Sequence, residues 1–348
     1  MLQDLSGLDP LLIPLDDKEV MSLFQSTDAL GITPDDIGGT KLGTLGIPEF
    51  GTDFAMGMLI EAKPKAFSDL VRIAGLSHGT DVWLGNAQEL IKAGIADIST
   101  CICTRDDIMT YLIGMGLDPA ESFSIMENVR KGKVAKGKVK EWPAWKEDML
   151  AHNVPDWYVG SCEKIQYMFP KAHAAAYVMM GWRVAYYKIN YPLAYYAAFF
   201  SIRSKGFSYE MMCLGKDILE KYMDEIKKKI EAGTAQAKDQ NYMHDMRLVQ
   251  EMYARGYSFA KIDIYKAKSR SFQIIDDKTI MPSFVSIENL GDTNAVLIED
   301  EARKGQFTSR DDFKKRTKTA QKIIDKMTEL HILENMPDTD QISIFDLI

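Results

Sequence analysis

Apolar positions recur every three or four residues through most of the chain, in short runs separated by Gly, Pro, Asp and Thr. That period predicts a mainly α protein with minor β content. Residues 33–52, "TPDDIGGTKLGTLGIPEFGT", are punctuated like a loop, and short amphipathic segments follow to about residue 168. The stretch 168–204, "MFPKAHAAAYVMMGWRVAYYKINYPLAYYAAFFSIRS", is apolar on nearly every face. A helix apolar all round is a buried one. Pro192 lacks an N–H and clashes with the preceding turn, so it breaks this stretch near Tyr191. The expectation is two helices, 171–190 and 193–204, inside the largest core. Residues 209–256 read as two charged amphipathic helices split at "EAGTAQ". "SFAKIDIY" and "SRSFQIIDDKTIMP" carry the β-branched and aromatic residues of short strands, with a turn at Asp276-Asp277. Helical patterning returns over 292–333.

Composition changes this picture little: 46% hydrophobic and 26% charged residues are ordinary for a globular protein. No run of 18 apolar residues is present, so no membrane span is expected. The N-terminus has no basic n-region or small-residue cleavage site, and the 4 cysteines suit reduced thiols, so the expected compartment is the cytoplasm. Charge matters more. The net charge of −8 argues against general nucleic-acid binding, yet residues 130–140, "RKGKVAKGKVK", hold six basic side chains and no acid. Residues 302–326 hold nine basic and three acidic side chains. Local patches decide whether a phosphate backbone is bound; the competing reading of either patch is a solvated lysine-rich face.

Catalytic constellations are not found. Cys101-Ile102-Cys103 has no second Cys pair for zinc, and no Walker loop, GxGxxG or GxSxG occurs. Acid pairs at 16–17, 35–36, 106–107, 276–277 and 311–312 read as caps or turns. "FPKAHAAAY" is more informative. Pro170 suits the start of a helix, which leaves backbone donors beside Lys171 and His173 in a phosphate-binding arrangement. His173 and Tyr177 share a face; a core histidine bonded to a neighbour is the alternative. "GLSHGTDVW" reads as a Gly-flanked loop presenting Ser77 and His78, either as a site or as a capped turn.

Several segments together carry a family resemblance: "IPEFGTDFAMGMLIEAKPKAFSDLVRIAGLSHGTDVWLGNAQELI", "TRDDIMTYLIGMGL", "SIMENVRKGK", "VPDWYVGSCEKIQYMFPKAHAAAYVMMGWRVAYYKINYPLAYYAAFFSIR" and "QISIF". In this order they resemble the C-terminal third of PolC-type bacterial DNA polymerase III alpha subunits, over essentially the whole chain. The resemblance implies a fingers portion over 1–204 and a duplex-binding region over 205–336, with a helix-hairpin-helix core at about 281–336. A sliding-clamp-binding tail follows at 337–348. The family's palm, with its metal-binding aspartates, lies upstream, so the expectation is a fragment or an internally started product. Such a chain would be inactive alone, with Mg²⁺ bound by the absent palm and dNTP as the substrate. A stand-alone, non-catalytic clamp- and DNA-binding module is the alternative.

By the same resemblance, Lys171 and His173 would neutralise the triphosphate of an incoming nucleotide, with Arg105, Arg130, Lys131 and Lys133 in support. Ser77, His78 and Tyr177 would lie near the nucleotide. Duplex contact would fall to Asn289, Gly291 and Asn294 at the hairpin, and to Arg303, Lys304, Lys314, Lys315 and Arg316 beyond it. Here the chain departs from the family: Asn289 stands where Gly is usual and Glu288 where Pro is usual, which puts a negative charge near the phosphate. Gln341, Ile342, Ile344 and Phe345 match the clamp-binding pentapeptide, with Ile in both Leu positions; a docked terminal strand is the competing reading. The implied partners are primer-template DNA, the sliding clamp (beta subunit) and other replisome subunits.

Overall fold

The structure, a computed structural model, describes residues 1–339; the tail residues Gln341, Ile342, Ile344 and Phe345 lie outside it. The fold is mainly α, as the hydrophobic period predicts. The early helices are α1 (Leu2–Ser6), α2 (Lys18–Leu23), α3 (Asp53–Ala62), α4 (Phe67–His78) and α5 (Gln88–Lys92). Next come α6 (Arg105–Gly114), α7 (Pro119–Arg130), α8 (Trp142–Ala151) and α9 (Asp156–Lys164). Acid pairs do serve as caps. The Asp17 carboxylate accepts from the N–H groups of Glu19 (2.8 Å) and Val20 (3.0 Å) to start α2, and Asp107 accepts from Thr104 N–H (2.8 Å) to start α6.

The apolar stretch forms α10 (Lys171–Asn190) and α11 (Pro192–Ile202), with Pro192 at the first position of α11. Burial separates the two. α11 is buried over Ala194–Phe200. α10 is not buried all round: His173, Ala176, Tyr177 (42% exposed) and Met180 (44%) form an exposed stripe at helical spacing, while Ala174, Val178, Gly181, Trp182 and Ala185 form the buried one. Alanine, tyrosine and methionine on the open face made an amphipathic helix look uniformly apolar.

The chain divides into two compact units that interleave along the sequence. One consists of Leu11–Leu30 and Lys41–Ile189. Its core centres on Trp182, which stacks on Phe24 (ring centroids 6.1 Å apart) and donates its indole N–H to Pro14 O (2.8 Å). Gly181 permits this packing, because a Cβ there would lie 2.9 Å from Pro48 O. Lys188, fully buried in α10, donates to the carbonyls of Gly43 and Leu45, both at 2.7 Å.

The other unit consists of Met1–Pro10, Gly31–Thr40 and the chain from Asn190 onward. It contains α12 (Tyr209–Met212), α13 (Lys216–Glu231), α14 (Ala237–Ala254), α15 (Asp292–Lys304), α16 (Arg310–Thr317) and α17 (Gln321–Glu329). Strands β1 (Ser258–Phe259), β2 (Gln273–Ile274) and β3 (Thr279–Met281) make one small sheet, ordered β1-β3-β2. β2 and β3 are antiparallel around the Asp276 turn, where Asp276 accepts from the N–H groups of Lys278 and Thr279, both at 2.8 Å. Buried Asp245 of α14 holds the chain after α11, accepting from Ser204 Oγ (2.6 Å) and the N–H groups of Lys205 (2.8 Å) and Gly206 (2.7 Å).

Candidate functional site

In the Lys41–Ile189 unit, the short segment 166–170 is a hub. A single antiparallel bridge joins Thr80 to Tyr167, with Thr80 N–H on Tyr167 O at 2.9 Å. The N–H of Met168 reaches Arg130 O (3.2 Å), and that of Arg105 reaches Phe169 O (3.3 Å). Pro170 then supplies the first helical acceptor of α10, to Ala174 N–H at 3.1 Å. Four distant stretches of sequence thus meet at one place: the C-terminal end of α4, the N-terminal end of α6, the last residue of α7 and the start of α10.

Ser77 and His78 occupy the last turn of α4 rather than a loop, because Gly75 packs inside the helix where a Cβ would strike Cys103 O at 2.7 Å. Ser77 Oγ donates to Ala74 O of its own helix (3.0 Å). His78 is paired through Nε2 with the Glu49 carboxylate, and its ring lies 4.8 Å from Phe169 and 6.2 Å from Tyr177. Phe169 also meets His173 (6.0 Å) and Tyr177 (6.1 Å). His173 is exposed, so it is not the core histidine that the pattern allowed. The result is an accessible aromatic and imidazole surface on the open stripe of α10. Sequence reasoning missed Glu49 and Phe169. Glu49 stands 29 residues before its partner, and only its left-handed backbone (φ 70°) marks it as held in place.

Beside this surface the cations are already engaged. Lys171 N–H donates to Asp106 Oδ2 (2.8 Å), and Lys171 Nζ to Asp107 Oδ1 (3.0 Å). Arg105 lies 4.0 Å from Asp106. Arg130 and Lys131 both bind Glu127, Lys131 at 2.7 Å. Those hydrogen bonds, Arg130's first, pull the Glu127 carboxyl down to about 2. Lys133 is exposed and has no carboxylate partner among the described residues.

In the other unit, Asn289 adopts the left-handed conformation (φ 67°), as its identity allows, and Gly291 caps α15. Glu288 turns into its own unit, accepting from Lys238 Nζ (2.8 Å) and Tyr242 OH (3.3 Å), with Lys326 at 3.8 Å. The hydrogen bond from Lys238 holds it below the usual carboxylate range, while burial pushes neighbouring Glu210 up. Asn294 donates to Thr317 O (3.3 Å). Arg303 pairs with Glu299, Lys304 with Glu301, and Lys314 donates to Gln321 Oε1 (2.9 Å). Arg316 is a structural staple: it stacks over Phe307 (4.2 Å) and pairs with Glu301 (3.2 Å) and Asp312 (3.3 Å). Lys315 is exposed.

Residues 2–153 match the model of the bacterial DNA polymerase III alpha subunit finger domain. The chain is 49% identical over 345 residues to the PolC-type DNA polymerase III of Streptococcus pneumoniae serotype 2 strain D39, covering 99% of this chain and 23% of that protein. Over nearly its whole length the chain is similar to PolC-type DNA polymerase III proteins. The PolC-type proteins of Streptococcus suis strain 98HAH33 (50%) and Streptococcus pyogenes serotype M6 (48%) match over the same 99% of the chain, and again over 23% of their own length. The chain therefore spans about a quarter of these PolC-type relatives. The finger-domain match takes in Ser77, His78, Arg105, Arg130, Lys131 and Lys133; Lys171, His173 and Tyr177 lie beyond its end. Among the described residues, no three His, Cys, Asp or Glu side chains are grouped so as to hold a metal ion, and no helix is long and apolar enough to cross a membrane.

Proposed function

We propose that this chain supplies the nucleotide- and duplex-holding part of a replicative DNA polymerase, working in the cytoplasm. The observation that carries the reading is the convergence on segment 166–170 of His78, Lys171, His173 and the N-terminus of a 20-residue helix, beside a finger-domain match. An incoming dNTP would place its phosphates at Lys171 and the open N–H groups of Ala172 and His173, where the helix dipole favours negative charge. Its base or sugar would face His78, Phe169 and Tyr177. The hairpin at Asn289–Gly291 would approach a duplex phosphate through the backbone N–H groups that begin α15. The tail pentapeptide would tether the chain to a sliding clamp. Mg²⁺ would be held by carboxylates outside this chain, where the nucleotidyl transfer itself occurs.

A single titration tests the reading. With purified chain, a fluorescent dNTP should bind, and Lys171→Ala should weaken binding about tenfold, as expected for losing one charge-assisted contact of ~1.4 kcal/mol. The same samples should not extend a primer. Unchanged affinity in Lys171→Ala would remove the phosphate assignment, and primer extension by the chain alone would remove the assignment of chemistry elsewhere.

A further inference from the structure

The basic run at 130–140 divides into two parts with different fates. Arg130 and Lys131 are both paired with Glu127 at the end of α7. Lys133, Lys136, Lys138 and Lys140 are exposed and have no carboxylate partner among the described residues. The loop that carries them is not a loose tether. Gly132 (φ 65°) lies where a Cβ would come 2.4 Å from Gln166 O, so the loop starts pressed against backbone. Val134 is buried, and N–H groups close successive turns: Lys136 on Gly132 O (3.2 Å), Gly137 on Val134 O (2.9 Å) and Lys138 on Lys133 O (2.9 Å). A solvated lysine face needs no such construction.

Two half-buried indoles follow directly. Trp142 begins α8, and Trp145, three residues on, shares its face. Trp142 donates its indole N–H to Glu163 Oε1 (3.0 Å), which also takes Lys146 (3.0 Å). Glu163 therefore fixes the Trp142 ring plane and removes Lys146 from the free cations. Lysines without carboxylate partners on a hydrogen-bonded turn, beside two indoles of which one is held by Glu163, are what an unpaired nucleic-acid strand requires. The lysines follow its phosphates and the rings offer a stacking surface that only exposed bases can use.

We infer that the 133–145 segment is a binding site for single-stranded nucleic acid, separate from the nucleotide pocket and from the duplex-binding hairpin, and read without base preference. Lys133 belongs to this site rather than to the triphosphate. The partner is a single strand rather than a duplex, because paired bases give the indoles nothing to stack on, and the turn is short enough to follow only a few phosphates of one strand.

The full chain is titrated with a fluorescent 12-nucleotide oligo-dT and with a blunt 12-base-pair duplex, each at several NaCl concentrations and without dNTP. Four phosphate contacts predict a slope of log K against log[salt] near −3 for oligo-dT, at ~0.7 per contact. Lys136→Ala/Lys138→Ala should flatten that slope by about 1.4 and weaken oligo-dT binding at least fivefold at low salt, leaving duplex binding unchanged. Trp145→Phe should reduce the quenching of indole emission by oligo-dT without changing the slope. Circular dichroism melts confirm folding, and the lysine variants are at exposed positions. An unaltered slope in the lysine variant, equal losses on duplex and single strand, or equal binding of poly-glutamate would each overturn the inference. Because no dNTP is present, its failure is distinct from a failure of the triphosphate assignment.

Discussion

Single carboxylates decide which cations of this chain are available. Glu127 pairs with two of the six cations in the 130–140 run, and the pairing lowers its own carboxyl. A carboxyl brought from its ordinary 4.5 down to about 2 contributes stability that is fully present above pH 4.5 and is lost as pH falls toward 2. Glu127→Gln should therefore flatten the acid limb of a thermal-melt profile between pH 4.5 and 2; identical limbs in variant and wild type would mean that the pairing with Arg130 and Lys131 adds no stability. Asp106 and Asp107 act similarly on Lys171. They hold its ammonium and its N–H, so a phosphate bound there, as proposed above, would compete with them. Glu288 is the third case. Its charge is taken up by Lys238 and Lys326 and does not simply oppose a duplex phosphate.

At the scale of elements, what could be read from the chain depended on whether the signal was local. The break at Pro192, the split before Ala237 and the turn at Asp276 rest on residues whose backbone preference is strong wherever they stand, and all three appear in the fold. The exposed stripe of α10 was hidden because Ala176, Tyr177 and Met180 are apolar and yet face outward. Ser77 and His78 looked like loop residues because of flanking glycines, one of which is packed inside α4. The hub at 166–170 was invisible, since one β-bridge to Thr80 has no periodicity to detect. Its dependence on Gly132 can be tested. Gly132→Ala introduces a Cβ against Gln166 O at a left-handed φ, and should destabilise the chain by about 1–3 kcal/mol. A chemical denaturation midpoint equal to that of wild type would show that the loop and the 166 segment part without cost.

For the whole molecule, identity to PolC-type proteins is spread over 99% of the chain, far past the finger-domain match. The described structure ends in a fixed position: Arg310 N–H donates to Pro337 O (2.8 Å), and Arg310 Nη1 to Asp338 Oδ1 (2.6 Å). The residues proposed to bind a clamp come next in the sequence. Ile344→Ala/Phe345→Ala should abolish retention of the chain on immobilised clamp and leave its melting temperature unchanged. A drop in melting temperature with retained clamp binding would make the tail part of the core instead.

The interleaving of the two units has a consequence for how the chain is made. Residues 31–40 leave the ribosome well before the part of their unit that runs on from Asn190; Thr40 Oγ1 accepts from Arg247, 207 residues later (3.3 Å). At about 5–20 residues per second, the ribosome needs roughly 8–30 s to cross the intervening 150 residues. Through that interval residues 31–40 have only Met1–Pro10 of their own unit to join, while Leu11–Leu30 and Lys41–Ile189 complete the other unit. Completion of the fold is therefore set by translation of the distal half, and a nascent-chain holdase has a defined window in which to act.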